Sequence, residues 1–230
     1  MIEEILPAST VAVEARQDQP EAVLFPQERS LVDGSVEKRR LEFATARACA
    51  RAALEKLEIA PAPILTGDRG EPRWPAEIVG SITHCDGYRA CAVARADALL
   101  TVGIDAEPNA ALPNGLLADI ARSEELPWVR QLQLERPEVH WDRLLFSAKE
   151  SVYKAWYPLA KRWLGFEDAV LSMSPDQGTF EARLTVAGPP LRAGRLTGFS
   201  GRWMVCDGLI LTAIAVAHGS ERPEMLGSAR

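Results

Sequence analysis

Two carboxylates stand two residues apart in the segment VGIDAEP, residues 102–108. On a strand, Asp105 and Glu107 would point to the same face with their backbones about 6 to 7 Å apart, at roughly 3.3 Å per residue. Such a pair can hold Mg²⁺, which takes one or two protein carboxylates and completes its octahedron with water and phosphate oxygens. The alternative is the solvated face of an edge strand. The apolar residues before Asp105 favour a strand that leaves the core and ends in acid.

A second segment, FSAKESVYKAW, places a carboxylate and two lysines on one predicted helix. Glu150 and Lys154 are four residues apart and share a helical face. By itself this spacing is typical of a solvent-exposed ion pair, which supports a helix by about 0.2 to 0.5 kcal/mol. Beside Asp105 and Glu107, however, Glu150 would be the third carboxylate of a hard-metal site, with Lys149 and Lys154 next to it. That set suits a polyphosphate, because lysine binds phosphate oxygens as a point charge and a carboxylate can take a hydroxyl proton.

Two further segments carry groups that could approach a phosphate. His84 ends the apolar segment SITHCDG beside Thr83, although a lone histidine at a strand end is more often structural. The loop TGDRGEP contains Arg69 between glycines, where backbone amides and a cation could meet a nucleotide. The alternative is that its glycines and proline only form turns.

The first long predicted helix carries a series of arginines. By periodicity Arg40, Arg47 and Arg51 lie close to one face, with Arg39 beside them. Guanidinium groups in such a row can bind a phosphate with paired hydrogen bonds. Arginines on an amphipathic helix also commonly face solvent, and the periodicity leaves both interpretations open.

Ser151 and Lys154 match S-x-x-K, the nucleophile motif of penicillin-binding proteins and class A β-lactamases. That class also needs S-D-N and K-T-G elements, and the sequence contains neither. It also lacks a G-x-S-x-G elbow, a Walker P-loop and G-x-G-x-x-G. A serine acyl hydrolase therefore stays the weaker alternative.

The elements that must position these residues follow from hydrophobic periodicity and turn signals. Helices are expected at 35–58, 115–134 and 138–160, and a turn-rich loop at 66–75. Strands are expected at 77–83, 88–96, 99–107, 168–173, 179–186 and 202–217, the last a hairpin turning at Asp207 and Gly208. The polar end GSERPEMLGSAR is expected to fray. The pattern predicts an α+β duplication with an N-terminal half at 1–107, a C-terminal half at 108–230 and a cleft between them.

Composition excludes several classes of function. The chain has 230 residues with 47% hydrophobic content, enough for a core, and a formal net charge of -6. This acidity argues against a nucleic-acid binder that neutralises many phosphates. The first residues carry glutamates instead of the positive charge of a signal peptide, and no apolar run approaches the roughly 20 residues that span a bilayer. We therefore expect a cytoplasmic protein with no membrane association.

VGIDAEP, followed about forty residues later by FSAKESVYKAW, resembles the paired signature of the Sfp-type 4'-phosphopantetheinyl transferases, G-(I/V)-D-x-E and (F/W)-(S/C)-x-K-E-(S/A)-x-x-K. Four further segments resemble other parts of that family: SITHCDGYRACAVA, KRRLEFATARACARAAL, GDRGEPRWP and KRWLGFEDA. The similarity extends over nearly the whole chain. It is strongest toward the bacterial enzymes that serve polyketide and nonribosomal-peptide carrier proteins.

This resemblance implies a pseudo-twofold α+β fold that binds coenzyme A and Mg²⁺ between its halves. The implied reaction moves the phosphopantetheine arm of coenzyme A to a serine of an apo acyl or peptidyl carrier protein and releases adenosine 3',5'-bisphosphate. Asp105, Glu107 and Glu150 would take the metal, with Glu150 also the candidate base. Lys154 would offset charge on the departing phosphate, and Lys149 would lie beside the pyrophosphate.

The resemblance also assigns the coenzyme contacts. Thr83 and His84 would contact its phosphates, and Arg39, in preference to the Arg40 that periodicity favours, would join Arg47 at the phosphate end of the nucleotide. The coenzyme-binding loop would comprise Thr66, Gly67, Asp68 and Arg69, with Thr66 where related chains can carry a lysine. The docking surface for the carrier is expected at 111–140, and a monomer would suffice. The third alternative is a scaffold that binds carrier proteins without catalysis. Such a protein should have lost at least one of the three acids or Lys154, and the sequence retains all four.

Overall fold

The computed structural model describes residues 1–191 and 194–218. The C-terminal segment 219–230, which the sequence predicts to fray, lies outside the described residues. The helices are α1 (Pro26–Arg29), α2 (Glu37–Lys56), α3 (Leu116–Ile120), α4 (Leu126–Glu135) and α5 (Trp141–Ala160), with 3-10 turns at Ile2–Ile5 and Phe166–Asp168. The strands are β1 (Thr10–Ala15), β2 (Ile78–Cys85), β3 (Tyr88–Arg95), β4 (Leu99–Pro108), β5 (Ala169–Ser174), β6 (Thr179–Leu184), β7 (Pro190–Leu191), β8 (Gly194–Arg195), β9 (Gly198–Cys206) and β10 (Leu209–Ala217).

The N-terminal part consists of a three-stranded antiparallel sheet, in the order β1-β3-β2, packed against α2. Small residues on the buried face of α2 let the helix approach the sheet closely. The cluster between them contains Cys49, Ala50, Ala53, Leu54, Ile64, Ile78, Cys91 and Val93. The long helix predicted at 35–58 is confirmed, whereas strand β1 was not predicted.

The C-terminal part consists of a five-stranded antiparallel sheet, in the order β4-β10-β9-β6-β5, with α5 packed against β4 and β10. Apolar residues recur along α5 at the three- and four-residue spacing of a core-facing stripe. Its fully buried members are Trp141, Leu144, Leu145, Ala148, Val152, Ala155 and Trp156. Each part therefore presents a 20-residue helix to an antiparallel sheet, and the α+β class is confirmed.

Strand β4 joins the two sheets. Its ladder runs along β10, where Asp105 pairs with Thr212 and Glu107 with Ile210. The other side of β4 faces β2. These two strands form no backbone ladder, but two side chains of β2 accept hydrogen bonds from backbone amides of β4. The hydroxyl of Ser81 accepts a hydrogen bond from the amide of Ile104 at 3.1 Å, and the hydroxyl of Thr83 accepts one from Ala106 at 3.1 Å. The sheets therefore diverge at β4 and leave a cleft, and the predicted boundary between 107 and 108 stays a prediction.

The helix predicted at 115–134 is wrong as a single element, because it is divided into α3 and α4. Ala121 ends α3 in an extended conformation with ψ 135°. Pro127 then occupies the first turn of α4, the helical position that tolerates proline. The predicted hairpin at Asp207 and Gly208 is confirmed, with φ of 50° and 75°. Among the described residues, no helix is both long and apolar enough to cross a membrane.

Strand β4 approaches α5 closely at Gly103. This close packing predicts how a larger residue there would affect stability. A Cβ at Gly103 would lie 2.2 Å from the carbonyl oxygen of Ser151 and 2.7 Å from the amide nitrogen of Ala155. We expect Gly103→Ala to lower the free energy of unfolding by about 1 to 3 kcal/mol in urea denaturation, since this helix must move away from the strand. Gly34→Ala is the matched control, because no atom lies within 4 Å of its added Cβ. Equal stability of the two variants would contradict the close packing.

Candidate active site

Asp105 on β4 is 5% exposed and lies between β2 and α5, where it contacts Thr83 and Lys154. Its Oδ1 accepts hydrogen bonds from the ammonium of Lys154 at 2.7 Å and from the hydroxyl of Thr83 at 3.2 Å. Its Oδ2 is buried and has no hydrogen-bond partner among the described residues. A buried carboxylate oxygen without a donor is costly and uncommon in a native protein. Asp105 therefore offers one free oxygen to a ligand that can replace its lost hydration.

Lys154 ties α5 to β4. Its Nζ bonds Asp105 and also donates to the carbonyl oxygen of Ile104 at 3.1 Å. Glu150 lies one turn earlier on α5, and its position lines the same cleft. The predicted four-residue spacing thus brings both groups to Asp105, although Lys154 pairs with Asp105 and not with Glu150.

The three predicted metal-binding carboxylates influence one another electrostatically. Burial raises the pKa of Glu150, and the charge of Asp105 adds to the rise while Lys154 opposes it. Burial and then Asp105 likewise raise the pKa of Glu107. Opposing this, the guanidinium of Arg143 donates to Glu107 at 2.8 Å. Negative charge is therefore concentrated where these acids meet, which disfavours their simultaneous ionisation unless a cation is present.

Within the described part of the chain, no three His, Cys, Asp or Glu side chains are grouped closely enough to hold a metal ion. Two observations nevertheless show that these acids suit a hard cation. The Oδ2 atom of Asp105 is buried without a partner among the described residues, and burial and then the charge of Asp105 raise the pKa values of Glu107 and Glu150. Carboxylate oxygens are also the ligands that Mg²⁺ prefers.

The predicted position of Lys149 requires a correction, because its ammonium does not reach the cleft. Its side chain is 2% exposed, and its ammonium contacts the carboxylate of Glu125 at 2.8 Å. It also donates to the carbonyl oxygens of Ile120, Phe166 and Ala169 at 2.9, 2.8 and 3.2 Å. An ammonium has three protons, and all are used inside the protein. The structure therefore does not place Lys149 beside a pyrophosphate or in a catalytic position.

Arg39 on α2 and His84 on β2 lie side by side, and their predicted contact with the coenzyme stays a prediction. Their NH1 and Nε2 atoms are 2.8 Å apart. Burial lowers the pKa of His84, and Arg39 and then Lys154 lower it further, so the neutral imidazole accepts from the guanidinium. Arg40, which periodicity favoured, instead pairs with Glu37 on the surface. The choice of Arg39 over Arg40 thus agrees with the geometry.

Arg47 lies inside the N-terminal part and not at the surface of the cleft. Its Nε donates to the carbonyl oxygen of Ile64 at 2.9 Å, and its guanidinium lies 4.3 Å from the ring centroid of Phe43. Burial lowers its pKa to about 10, and the charge of Arg39 contributes to that decrease. The two arginines are thus within electrostatic range, but Arg47 already binds the protein.

The loop predicted to bind coenzyme forms a tight turn in which Thr66 bridges Pro72 and the amide of Gly67 donates to Glu71. Asp68 is exposed and lies 3.8 Å from Arg73. Arg69 reaches toward the C-terminal part, with its guanidinium 5.8 Å from the ring centroid of Trp163.

A cavity of about 680 Å³ lies between this loop, β2 and α5. Its lining includes Arg69, Trp74, Ser81, Glu150, Tyr153 and Lys154. A smaller cavity of about 130 Å³ shares Glu150 and Tyr153 with it and is otherwise mainly apolar, with walls that include Trp163, Leu164 and Phe166. The two cavities are therefore neighbours on either side of Glu150 and Tyr153, and the larger one contains charged as well as apolar side chains.

Arg143 and Tyr153 belong to this site but were not predicted. Arg143 precedes Glu150 by seven residues, a spacing that places both on one helical face and could have identified it. Tyr153 carries a buried hydroxyl that has no partner among the described residues. The signal that could have identified Tyr153 is its position within the segment FSAKESVYKAW.

Comparison with known proteins relates the chain to one enzyme family. Residues 27–94 match the 4'-phosphopantetheinyl transferase N-terminal domain, and residues 101–197 match the 4'-phosphopantetheinyl transferase superfamily. The chain is 53% identical to the 4'-phosphopantetheinyl transferase Svp of Streptomyces mobaraensis, over 94% of this chain and 89% of that protein. It is 47% identical to the 4'-phosphopantetheinyl transferase PptT of Mycobacterium tuberculosis, over 94% of this chain and 98% of that protein. A third relative, the 4'-phosphopantetheinyl transferase Npt of Nocardia iowensis, is also 47% identical, over 94% and 100%.

The position of Ser151 predicts that its hydroxyl is not the nucleophile of a serine hydrolase. Its hydroxyl is fully buried and bonds the hydroxyl of Thr212 at 2.6 Å, while Lys154 bonds Asp105. We expect a fluorophosphonate probe to add no mass to the protein, because the hydroxyl faces neither a base nor a cavity. Ser151→Ala should cost about 1 kcal/mol of stability through the lost hydrogen bond. A stoichiometric adduct on Ser151, with a known serine hydrolase labelled in parallel, would restore the alternative.

Proposed function

The chain belongs to the 4'-phosphopantetheinyl transferase superfamily, and we propose that its reaction takes place in the cleft between the two sheets, at Asp105. Members of this family transfer the 4'-phosphopantetheine group of coenzyme A to a carrier protein. The observation that supports this location best is Asp105 itself. One of its oxygens is held by Lys154, and the other is buried and lacks a partner among the described residues.

In the proposed reaction, the serine hydroxyl of the carrier attacks the phosphorus that bears the pantetheine group. A new bond forms between the serine oxygen and that phosphorus, and the bond from the phosphorus to the bridging oxygen of the pyrophosphate breaks. The bridging oxygen leaves on adenosine 3',5'-bisphosphate, and the serine proton passes to a base. Phosphoryl transfer asks the protein chiefly to position the reactants and to stabilise charge.

Asp105, Glu107 and Glu150 would hold a Mg²⁺ ion, since the free oxygen of Asp105 and the mutual repulsion of the acids fit a cation. When bound, the ion neutralises charge on the pyrophosphate. Arg143 would keep Glu107 oriented from the opposite side, because its guanidinium also donates to the carbonyl oxygens of Ala110 and Ala111.

Glu150 would take the proton of the carrier serine. Burial and its acidic neighbours raise its pKa toward the working pH, which suits a general base. Lys154 would stabilise the negative charge on the departing phosphate, since its ammonium lies one helical turn from Glu150 and is partly exposed to the cleft. Both roles use side chains that α5 carries on one face.

The two ends of the coenzyme would occupy different parts of the cleft. Arg39 and His84 offer donors and positive charge to a phosphate on the nucleotide. The smaller apolar cavity beside Glu150 would take part of the pantetheine arm, and the Tyr153 hydroxyl would bond an amide of that arm. Thr83 would act indirectly, by holding Asp105.

The carrier would dock over 111–140, where Leu134 exposes 85% of its surface on α4. The restriction to polyketide and nonribosomal-peptide carriers, the monomeric state and the cytoplasmic location stay predictions.

Loss of either central acid should abolish transfer. We expect Glu150→Gln and Asp105→Asn to lower kcat/KM at least about 100-fold, the usual loss when a base or a charge-stabilising group is removed. The assay is the intact mass of an apo carrier incubated with coenzyme A and Mg²⁺. Asp176→Asn, which breaks an exposed ion pair with Arg136, is the control and should keep full activity. Full activity of both acid variants would contradict the mechanism, and carrier binding by the wild type without mass gain would support the scaffold.

Arg39 and Arg40 allow a matched test of the phosphate end. We expect Arg39→Gln to weaken coenzyme A binding about 10- to 100-fold, the effect of one charge-assisted hydrogen bond. Arg40→Gln should bind normally, because Arg40 pairs with Glu37 on the surface. Isothermal titration calorimetry with coenzyme A and with 3'-dephospho-coenzyme A measures both variants. Equal losses in the two variants would place the nucleotide elsewhere.

A further inference from the structure

Glu125 and Lys149 form a buried polar hub in the C-terminal part. Their side chains are 0% and 2% exposed, and the carboxylate and ammonium lie 2.8 Å apart. Glu125 also accepts from the amide of Arg122 and from the amide of Leu171, both at 2.7 Å. The hub thereby connects the turn between α3 and α4 with α5 and β5.

The same hub joins opposite walls of the smaller cavity. Lys149 stands on α5 next to Glu150, and both line that cavity. The ammonium of Lys149 donates to the carbonyl oxygens of Phe166 and Ala169, which line it from the other side. One ammonium thus sets the distance between α5 and the segment 163–169. Because Glu150 follows Lys149 directly, the same bonds restrict the rotation of α5 about its axis.

A buried ion pair is weak evidence for stability, because desolvation offsets much of the attraction between the charges. Burial indeed lowers the pKa of Lys149, and Glu125 opposes the decrease. The value of such a pair lies in geometry, since its fixed hydrogen bonds permit one arrangement of the surrounding backbone. Here that backbone is the wall of the cavity and the helix that carries Glu150.

We propose that Glu125 and Lys149 are positioning residues for the transfer, which fix the width of the smaller cavity and the orientation of Glu150. Their charged groups bond each other and the backbone, and the proposal gives neither charge a contact with the coenzyme. The proposal rests on the proposed function and changes the role of the first lysine in the K-E-x-x-x-K signature from a phosphate contact to a structural anchor. It also adds Glu125, which lies outside both sequence signatures.

Glu125→Gln tests this proposal, because it removes the charge that holds Lys149 and leaves every group lining the cavity unchanged. We expect affinity for coenzyme A to fall at least tenfold and kcat to fall with it. Affinity for adenosine 3',5'-bisphosphate, which lacks the arm, should stay within twofold of the wild type. Calorimetry with both compounds and the carrier mass assay give these values. If Glu125→Gln does not fold, Glu125→Asp replaces it, and we expect the same result. This variant keeps the charge but shortens the side chain by one methylene.

Two controls separate positioning from other roles. Phe180→Leu alters the core of the same sheet away from the cavity and should lower the melting temperature without selective loss of coenzyme A affinity. If Phe180→Leu and Glu125→Gln lose affinity alike, the hub is merely structural and the proposal fails. If Lys149→Met loses coenzyme A affinity while Glu125→Gln retains it, Lys149 contacts the coenzyme directly and the proposal fails. Failure of the wild type to modify a carrier would instead reject the proposed function.

Discussion

The contact between the Lys154 ammonium and the Asp105 carboxylate, at 2.7 Å, is the interaction on which the site depends. It joins α5 to β4 at the point where the two sheets diverge. Two neighbouring contacts strengthen the junction, since Gly103 lets the helix backbone approach the strand and the hydroxyl of Thr101 donates to the carbonyl oxygen of Ala155 at 2.8 Å. With helix and strand fixed in this way, Glu150 can only face the cleft.

The acids of the site are only partly neutralised by ion pairs, which leaves negative charge available to a ligand. Asp105 is matched by Lys154 and Glu107 by Arg143, whereas Glu150 has a raised pKa and forms no ion pair within the part of the chain that the structure describes. At the proposed phosphate end, the cationic Arg39 lies 3.7 Å from the carboxylate of Glu42 and contacts the neutral His84. In the proposed function an acidic chain would still bind a polyphosphate, since local cations and a metal held by the acids would supply the positive charge where it is needed.

The sequence predicted those features that depend on local spacing. Glu150 and Lys154, four apart on α5, line one cavity, and Lys154 contacts Asp105 of β4, because strand and helix periods are fixed by the backbone. It could not predict the direction of Lys149, since adjacent helical residues point about 100° apart and only tertiary packing decides which of them faces the interior. The pairing of β4 with β10, about a hundred residues later, and the choice of Arg39 over Arg40 depend on tertiary contacts in the same way.

A double-mutant cycle on Asp105 and Lys154 tests most directly whether this contact organises the site. The quantity to measure is kcat/KM for carrier modification in Asp105→Asn, Lys154→Met and the double variant. Residues that act as one unit show strongly non-additive losses. Our account predicts that the double variant is about as impaired as the worse single variant. Losses that multiply, as for two independent groups, would contradict it.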